Sequence, residues 1–156
     1  MKPRLFRPGV TIPELLLALF VLGLVVAVFV YMLGIQRATS RDAKRVSDVS
    51  VLRASLSQFW LQKASYPPTE GVVPLGKPGT GIDKLTGDGI VSADNQTQPV
   101  FLSAFPAGAK ADEYYTYRSD GQGYSLMFAT ERPTAFGPAG TYFAHSRGVD
   151  QADELK

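Results

Sequence analysis

The sequence contains no cysteine and only one histidine, His145, among its 156 residues. The absence of cysteine excludes a disulfide framework, a thiol nucleophile and any metal site built on thiolates. The nucleophile, phosphate-binding and zinc-binding motifs G-x-S-x-G, P-loop and H-E-x-x-H are also missing. These absences predict that the protein is not an enzyme, and that its stability comes from packing alone.

A large excess of charge is missing as well. The 16 basic and 14 acidic residues leave a formal net charge of +2, too small to indicate a nucleic-acid surface. The basic residues that cluster do so on either side of one long apolar run. We therefore predict no direct contact with nucleic acid.

Charged residues are absent from Leu15 to Ile35, a run interrupted only by Gly23 and Gly34 as weak helix formers. A helix of this length covers roughly 30 Å, the thickness of a bilayer hydrocarbon core. The apolar region of a secretory signal peptide is shorter. The run therefore predicts a single membrane-spanning helix, with residues 10–36 as its transmembrane part.

Proline is absent between Pro13 and Pro67, and no other helix breaker follows the apolar run, so we predict one continuous helix from Thr11 to about Ala64, about 80 Å long. Its second half, residues 37–65, is amphipathic. The apolar face consists of Val49, Leu52, Leu56 and Phe59. The charged side chains are predicted to line the remainder: Arg41, Asp42, Lys44, Arg45, Asp48, Arg53 and Lys63.

A lone carboxylate, Glu14, stands at the start of the apolar run, after the basic residues Lys2, Arg4 and Arg7. Thr11 and Glu14 have the spacing of a capping box, and Pro13 fits the first turn of a helix. Two interpretations of Glu14 remain open on the residues alone. It has a functional partner, because a carboxylate near hydrocarbon is unfavourable, or it sits among lipid headgroups, stabilised by the helix dipole.

The stretch Gly9-Val10-Thr11-Ile12-Pro13-Glu14-Leu15, with its basic leader and apolar run, resembles the class III signal of type IV prepilins and type II secretion pseudopilins. The resemblance implies that a prepilin peptidase cuts between Gly9 and Val10, that the new amine of Val10 is methylated, and that Glu14 serves assembly. Val10 stands where the family most often has Phe, and Pro13 where it has Ile or Val.

The resemblance further implies a structural filament subunit. Such a precursor sits in the cytoplasmic membrane as a single-pass protein, with an inner-membrane assembly platform and its ATPase as partners. It then enters a helical homo-oligomer outside the cytoplasm or at the cell surface. An extracellular pilus, a DNA-uptake fibre and a secretion pseudopilus all fit. The alternative is a monomeric extracytoplasmic binding domain on an uncleaved signal anchor.

The fold class expected is α+β, with the long helix packed on a small antiparallel sheet, as in pilins. Residues 1–9 are the leader, and residues 66–112 are predicted to form a loop rich in glycine and proline, with a short strand or turn near residues 89–92. Residues 113–146 are predicted to form the sheet, in which 113–118 and 124–130 pair around a glycine turn. Another strand is expected near residues 141–144, whereas the charged residues 147–156 are expected to be flexible.

The tyrosines of the predicted hairpin alternate with polar residues. Alternation places Tyr115 and Tyr117 on one face of the first strand. It places Tyr124, Leu126 and Phe128 on one face of the second. One of these faces is expected to cover the apolar face of the helix.

One candidate metal site lies in the 66–112 loop. Asp83, Asp88 and Asp94 could offer oxygen ligands to calcium, but their spacing matches no EF-hand. An ordinary polar loop is the other interpretation, so no cofactor is required by the sequence.

Overall fold

A computed structural model of the chain describes residues 11–156. Its elements in order are α1 (Ile12–Lys63), β1 (Val73–Pro74), β2 (Lys84–Thr86), β3 (Gly89–Val91), β4 (Val100–Leu102), β5 (Thr116–Ser119), β6 (Tyr124–Thr130), β7 (Gly140–His145) and β8 (Gly148–Asp150). The chain divides into two compact units, Met1–Arg37 and Ala38–Lys156. We call the second unit the head. The predicted α+β class, with a long N-terminal helix packed on an antiparallel sheet, is confirmed.

Helix α1 begins and ends within one residue of the predicted positions. Its first backbone bond runs from the Leu15 amide to the Thr11 carbonyl at 3.0 Å. At the other end Ala64 takes a left-handed conformation, with φ of 52°, and its amide donates to the Trp60 carbonyl at 2.8 Å. This is the αL form of helix C-cap. The two prolines that follow, Pro67 and Pro68, prevent the helix from continuing.

The main sheet of the head has five antiparallel strands in the order β1-β5-β6-β7-β8. The predicted hairpin is β5–β6, with Ser119 opposite Tyr124 and Thr116 opposite Met127. Its turn is held by the Asp120 carboxylate, which accepts from the amides of Gln122 and Gly123, both at 2.9 Å. Strand β7 includes the strand predicted near residues 141–144.

The core of the head lies between the second half of α1 and this sheet. The predicted helix face is buried there: Val49, Leu52, Leu56 and Phe59. The side chains predicted to alternate inward on the hairpin are buried in the same cluster: Tyr115, Tyr117, Tyr124, Leu126 and Phe128. Burying one Leu or Phe contributes roughly 1.5–3 kcal/mol, so this contact is what holds helix to sheet.

Residues 66–112 contain more regular structure than the predicted loop. Besides the edge strand β1, they form a second sheet of three strands in the order β3-β2-β4. The short strand expected near residues 89–92 is β3. The other strands span two or three residues each, which is too short for apolar alternation to be visible in the sequence.

The C-terminal residues contain a strand that was not predicted. Residues 148–150 form β8 against β7, with Ala144 opposite Val149. Beyond β8, the Ser146 amide donates to the Lys156 carbonyl at 3.3 Å. Four charged side chains of this stretch form ion pairs: Asp150, Asp153, Glu154 and Lys156.

Candidate functional site

The first half of α1 exposes large hydrophobic side chains on every side. Its large hydrophobic side chains, from Ile12 to Leu33, are each between 77% and 38% exposed. Gly23 and Gly34 likewise have no other atoms within 4 Å of the position of an added Cβ. By length and composition, this helix is able to cross a membrane. Residues 12–36 are called the apolar segment below.

Glu14 lies in the first turn of α1 and is exposed. Its Oε2 accepts from the Thr11 amide at 3.5 Å, which is the acidic half of the predicted capping box. The carboxylate thus satisfies one of the free amides at the helix start and faces the positive end of the helix dipole. The predicted cleavage bond between Gly9 and Val10 lies outside the described residues, so processing and methylation stay predictions.

The outward face of α1 between positions 43 and 62 is nearly free of charge, and the exposed Lys63 follows it. Ten residues between positions 43 and 62 are exposed, and Lys44 is the one charged residue among them. We call the other nine the outer face: Ala43, Ser47, Ser50, Val51, Ala54, Ser57, Gln58, Leu61 and Gln62. A helix that packs one face on a core normally places its charged residues on the opposite face, toward water. Here uncharged side chains, most of them small or apolar, face outward instead.

A groove runs beside the beginning of the outer face. Its volume is about 410 Å³, and it lies between residues 39–47 of α1 and residues 132–134, which follow β6. Ala43 and Val46 line it from the helix and Pro133 from the opposite side. The groove therefore widens the uncharged surface on one flank.

Two charged side chains of the helix are buried, which corrects the prediction that Asp42 and Arg45 belong to its polar outer face. Asp42 is 2% exposed and Arg45 is 3% exposed. Together with four neighbours they form what we call the charge cluster: Arg41, Asp42, Arg45, Lys110, Glu113 and Glu131. Three cations and three anions balance in it, which is the condition for burying charge.

Arg45 is the centre of the charge cluster. Its Nε and Nη2 donate to the two carboxylate oxygens of Glu113 at 2.6 and 2.8 Å. Its Nη1 donates to Asp42 at 2.7 Å and to Glu131 at 2.8 Å. The planar guanidinium suits such a fork of contacts. Hydrogen bonding to Glu113 accordingly raises the pKa of Arg45, and Arg45 lowers the pKa of Glu113.

Asp42 acts as a cap for the backbone after β6. Its carboxylate accepts from the Glu131 amide at 3.0 Å and from the Arg132 amide at 2.8 Å. Arg41 pairs with the Glu131 side chain at 2.5 Å, and this hydrogen bond is the main cause of the lowered pKa of Glu131. Each ion is already matched, so the charge cluster positions α1 against the sheet rather than offering a reactive group.

One feature of the sequence could have indicated this cluster. Asp42 and Arg45 stand three apart, and Glu113 and Glu131 flank the predicted hairpin on either side. Acids at both ends of a hairpin that packs on a helix are natural partners for helix cations.

The three calcium candidates are not brought together as a metal centre. Asp83 Oδ2 accepts from the Ala93 amide at 3.1 Å, and Asp88 Oδ2 accepts from the Thr97 hydroxyl at 2.5 Å. Asp94 is exposed. Among residues 11–156, no three His, Asp or Glu side chains form a group that could hold a metal ion.

Comparison of the chain with protein-family models, with curated proteins and with solved structures gives no match.

Proposed function

We propose that this protein is the precursor of a filament subunit of the type IV pilin or pseudopilin kind. A prepilin peptidase removes residues 1–9, Val10 becomes the methylated N-terminus, and the apolar segment holds the mature protein in the cytoplasmic membrane. An assembly platform with its ATPase then transfers the subunit into a helical filament. The head remains outside the cytoplasm.

The observation that carries this proposal is the uncovered apolar segment. Burial of apolar surface is worth roughly 25 cal/mol per Å², so a helix that exposes hydrophobic side chains all round has to lie in lipid or against similar helices. A plain anchor needs only the first environment. A filament subunit needs both in succession, and a helix that is apolar on every side suits both.

Glu14 supports packing of the apolar segment against similar helices. In a packed core of apolar helices, its carboxylate is stabilised if it meets the amine of Val10, on the same chain or on a neighbour, because two opposite charges compensate each other at low dielectric. Within residues 11–156 it accepts from the Thr11 amide, at 3.5 Å. A plain anchor gains from this carboxylate only the cap at the helix start and its interaction with the helix dipole.

The outer face supports contact with a second copy in the head as well. Small side chains such as Ala43, Ser47 and Ala54 allow close approach of a neighbouring helix, and the absence of charge removes a desolvation penalty. Exposed Val51 and Leu61 then have a surface to pack on.

The test compares Glu14→Ala with Glu70→Ala, since Glu70 is an exposed acid in the head. Both variants are expected to be processed to the Val10 start, shown by intact mass and N-terminal analysis of the membrane fraction. Only Glu14→Ala should lose filaments from the sheared surface fraction. A wild-type filament yield from Glu14→Ala would show that Glu14 is not needed for assembly.

A second variant tests processing itself. Gly9→Leu should leave the precursor mass unchanged, because the peptidase requires the small residue before the cut. A wild-type protein that begins at Met1 and stays monomeric would instead establish the anchored binding domain. A start after Ser40, where Ala38-Thr39-Ser40 has the small residues of a signal-peptidase site, would indicate a secreted protein.

A further inference from the structure

The loop that joins β6 to β7, residues 131–139, begins beside the first helix residues of the head. The Asp42 carboxylate accepts from the Arg132 amide of the loop at 2.8 Å. Thr39 of α1 and Pro133 of the loop both line the groove described above. The start of the loop is therefore fixed to α1 at the end of the head where the chain enters it.

The connection along the chain keeps this end of the head close to the membrane. Thr39 follows Gln36, the last residue of the apolar segment, by three positions, and α1 continues through both. At a rise of about 1.5 Å per residue, three residues add roughly 5 Å. The headgroup layer on each side of the hydrocarbon core is roughly 5–7 Å thick. With the apolar segment across the bilayer, Thr39 lies at the level of the headgroups, and the loop starts next to it.

Hydrogen bonds within the head hold the loop and satisfy part of its backbone. Thr134 and Gly137 exchange two backbone hydrogen bonds, at 2.9 and 3.1 Å. The Tyr142 hydroxyl of β7 donates to the Pro138 carbonyl at 2.6 Å. Because these backbone groups are already bonded, bringing the loop out of water and into the headgroup layer costs less.

The outward side of the loop is small, apolar and uncharged. No charged residue occurs from position 133 to position 139. Four of these seven residues are exposed: Pro133, Ala135, Pro138 and Ala139. Binding at a membrane surface grows with the apolar area that is buried there. The loop therefore presents an apolar surface at the end of the head that lies nearest to the lipid.

Arg132 stands at the start of this surface. Its side chain is partly exposed, and its guanidinium makes no ion pair with any acid among residues 11–156, whereas Arg41 pairs with Glu131. A guanidinium forms forked hydrogen bonds with phosphate groups. Phosphate is the group that phospholipid headgroups share, so Arg132 is suited to bind at the same surface as the apolar side chains.

We propose that the loop from Arg132 to Ala139 rests on the phospholipid surface while the apolar segment spans the bilayer. Its four exposed apolar residues lie among the headgroups, and Arg132 binds a lipid phosphate. This contact fixes the head against the membrane before the subunit leaves it. The inference rests on the membrane anchoring of the proposed function, and not on cleavage after Gly9 or on filament assembly.

The test uses spin labels in the full chain, reconstituted in nanodiscs of phosphatidylcholine. The chain has no cysteine, so one introduced cysteine carries the nitroxide. Ala135→Cys places the label on the loop, and Ala93→Cys places it at a matched exposed alanine after β3. For each label, relaxation by oxygen, which partitions into lipid, is divided by relaxation by a water-soluble nickel chelate. This ratio should be several-fold higher at position 135 than at position 93.

A third label separates this inference from the proposed function. Val25→Cys lies in the apolar segment and should give the highest ratio of the three. A high ratio at position 25 together with equal ratios at positions 135 and 93 would overturn the lipid contact of the loop alone. A ratio at position 25 as low as that at position 93 would show that the segment is not in the bilayer, and would refute the anchoring as well.

Two charge variants of the chain labelled at position 135 test the role of Arg132. Arg132→Gln should lower the ratio toward that of position 93, and it keeps the cap from Asp42, which binds the backbone amide. Arg147→Gln is the matched control, because Arg147 is exposed in the turn after β7, at the opposite end of that strand from the loop. It should leave the ratio unchanged. Equal ratios in the two variants would show that Arg132 binds no lipid phosphate.

Discussion

At the scale of single residues, Asp42 and Arg45 show that helix periodicity predicts the burial of apolar residues better than it predicts the exposure of charged ones. Both are charged, so the sequence places them outward, yet both are almost completely buried. Their partners, Glu113 and Glu131, lie 68 and 86 positions from Arg45. Periodicity within one helix carries no information about such partners. In contrast, Val49 and Leu52 were correctly placed because their burial depends on that periodicity alone.

The charge cluster predicts that the head loses stability in acid. Glu113 and Glu131 have lowered pKa values in the folded state, caused first by Arg45 and Arg41 respectively. An unfolded chain binds protons at about pH 4.3, the ordinary value for Glu. Stability is thus fully present above that pH and falls as pH drops from about 5 toward the folded pKa values. Urea midpoints of the full chain in detergent, measured at pH 7 and pH 4, should show the loss.

Trp60 provides the signal for this measurement, since it is the only tryptophan and its ring centre lies 4.7 Å from that of Tyr66 in the head. Glu131→Gln should reduce the difference between the two midpoints. Glu70→Gln, in an exposed position, should retain it. Identical midpoints at both pH values in the wild type would show that the cluster does not favour its ionised form.

At the scale of elements, α1 and the β5–β6 hairpin were predictable because each carries a local signal that nothing overrides. Pro13 and Pro67 bound the helix, and Asp120 and Gly121 mark the turn. The second sheet was not predictable because its three-residue strands depend on partners, such as Leu85 opposite Leu102. Its contacts are set by tertiary packing, which the sequence pattern does not record.

The end of α1 predicts a stabilising substitution. Ala64 holds φ at 52°, a conformation that is unfavourable for an L-residue by roughly 1–2 kcal/mol and open to glycine. Ala64→Gly should therefore raise the free energy of unfolding by up to about 1 kcal/mol, after the larger entropy of the unfolded glycine is subtracted. Urea titration followed through Trp60 measures it.

Ala54→Gly is the matched control, because Ala54 is exposed in the interior of the same helix. It should lower the free energy of unfolding by about 1 kcal/mol. Destabilisation by both substitutions would mean that position 64 is not strained.

The outer face predicts a variant that separates folding from assembly. Val51 is 45% exposed, so Val51→Glu should change the free energy of unfolding by less than about 0.5 kcal/mol. If neighbouring copies pack on this face, the same change should reduce the filament yield several-fold. Val72→Glu, at a position 60% exposed in the loop after α1, is the control. Equal filament yields from the two variants would place the contact elsewhere.

At the scale of the whole molecule, the core cluster lies entirely within Ala38–Lys156. This unit should fold without the apolar segment, as a monomer in the absence of detergent. The fragment is expected to unfold in one cooperative step, with a urea midpoint close to that of the head in the full chain. Near-ultraviolet circular dichroism checks its packing, and a fragment without that signal would show that the head depends on the first unit.

The apolar segment and Glu14 could be predicted from the sequence, whereas the outer face could not. The sequence pointed to the apolar segment and to Glu14 because length, charge and spacing are properties of one short stretch. The outer face was not predicted, because it depends on which charged side chains of the helix are buried. Arg45 is buried against Glu113 and Glu131, which lie in a distant part of the chain. The properties of one short stretch could be predicted from the sequence, whereas the surface that stays exposed after tertiary packing could not.

The position of the charge cluster along α1 has a mechanical consequence. Asp42 and Arg45 precede Val49, the first helix residue of the hydrophobic core. Tension applied to the head through its helix is thus borne by ionic bonds before it reaches packed side chains. The tensile strength of this connection should accordingly vary with acidity, because protons compete for the carboxylates that carry the load.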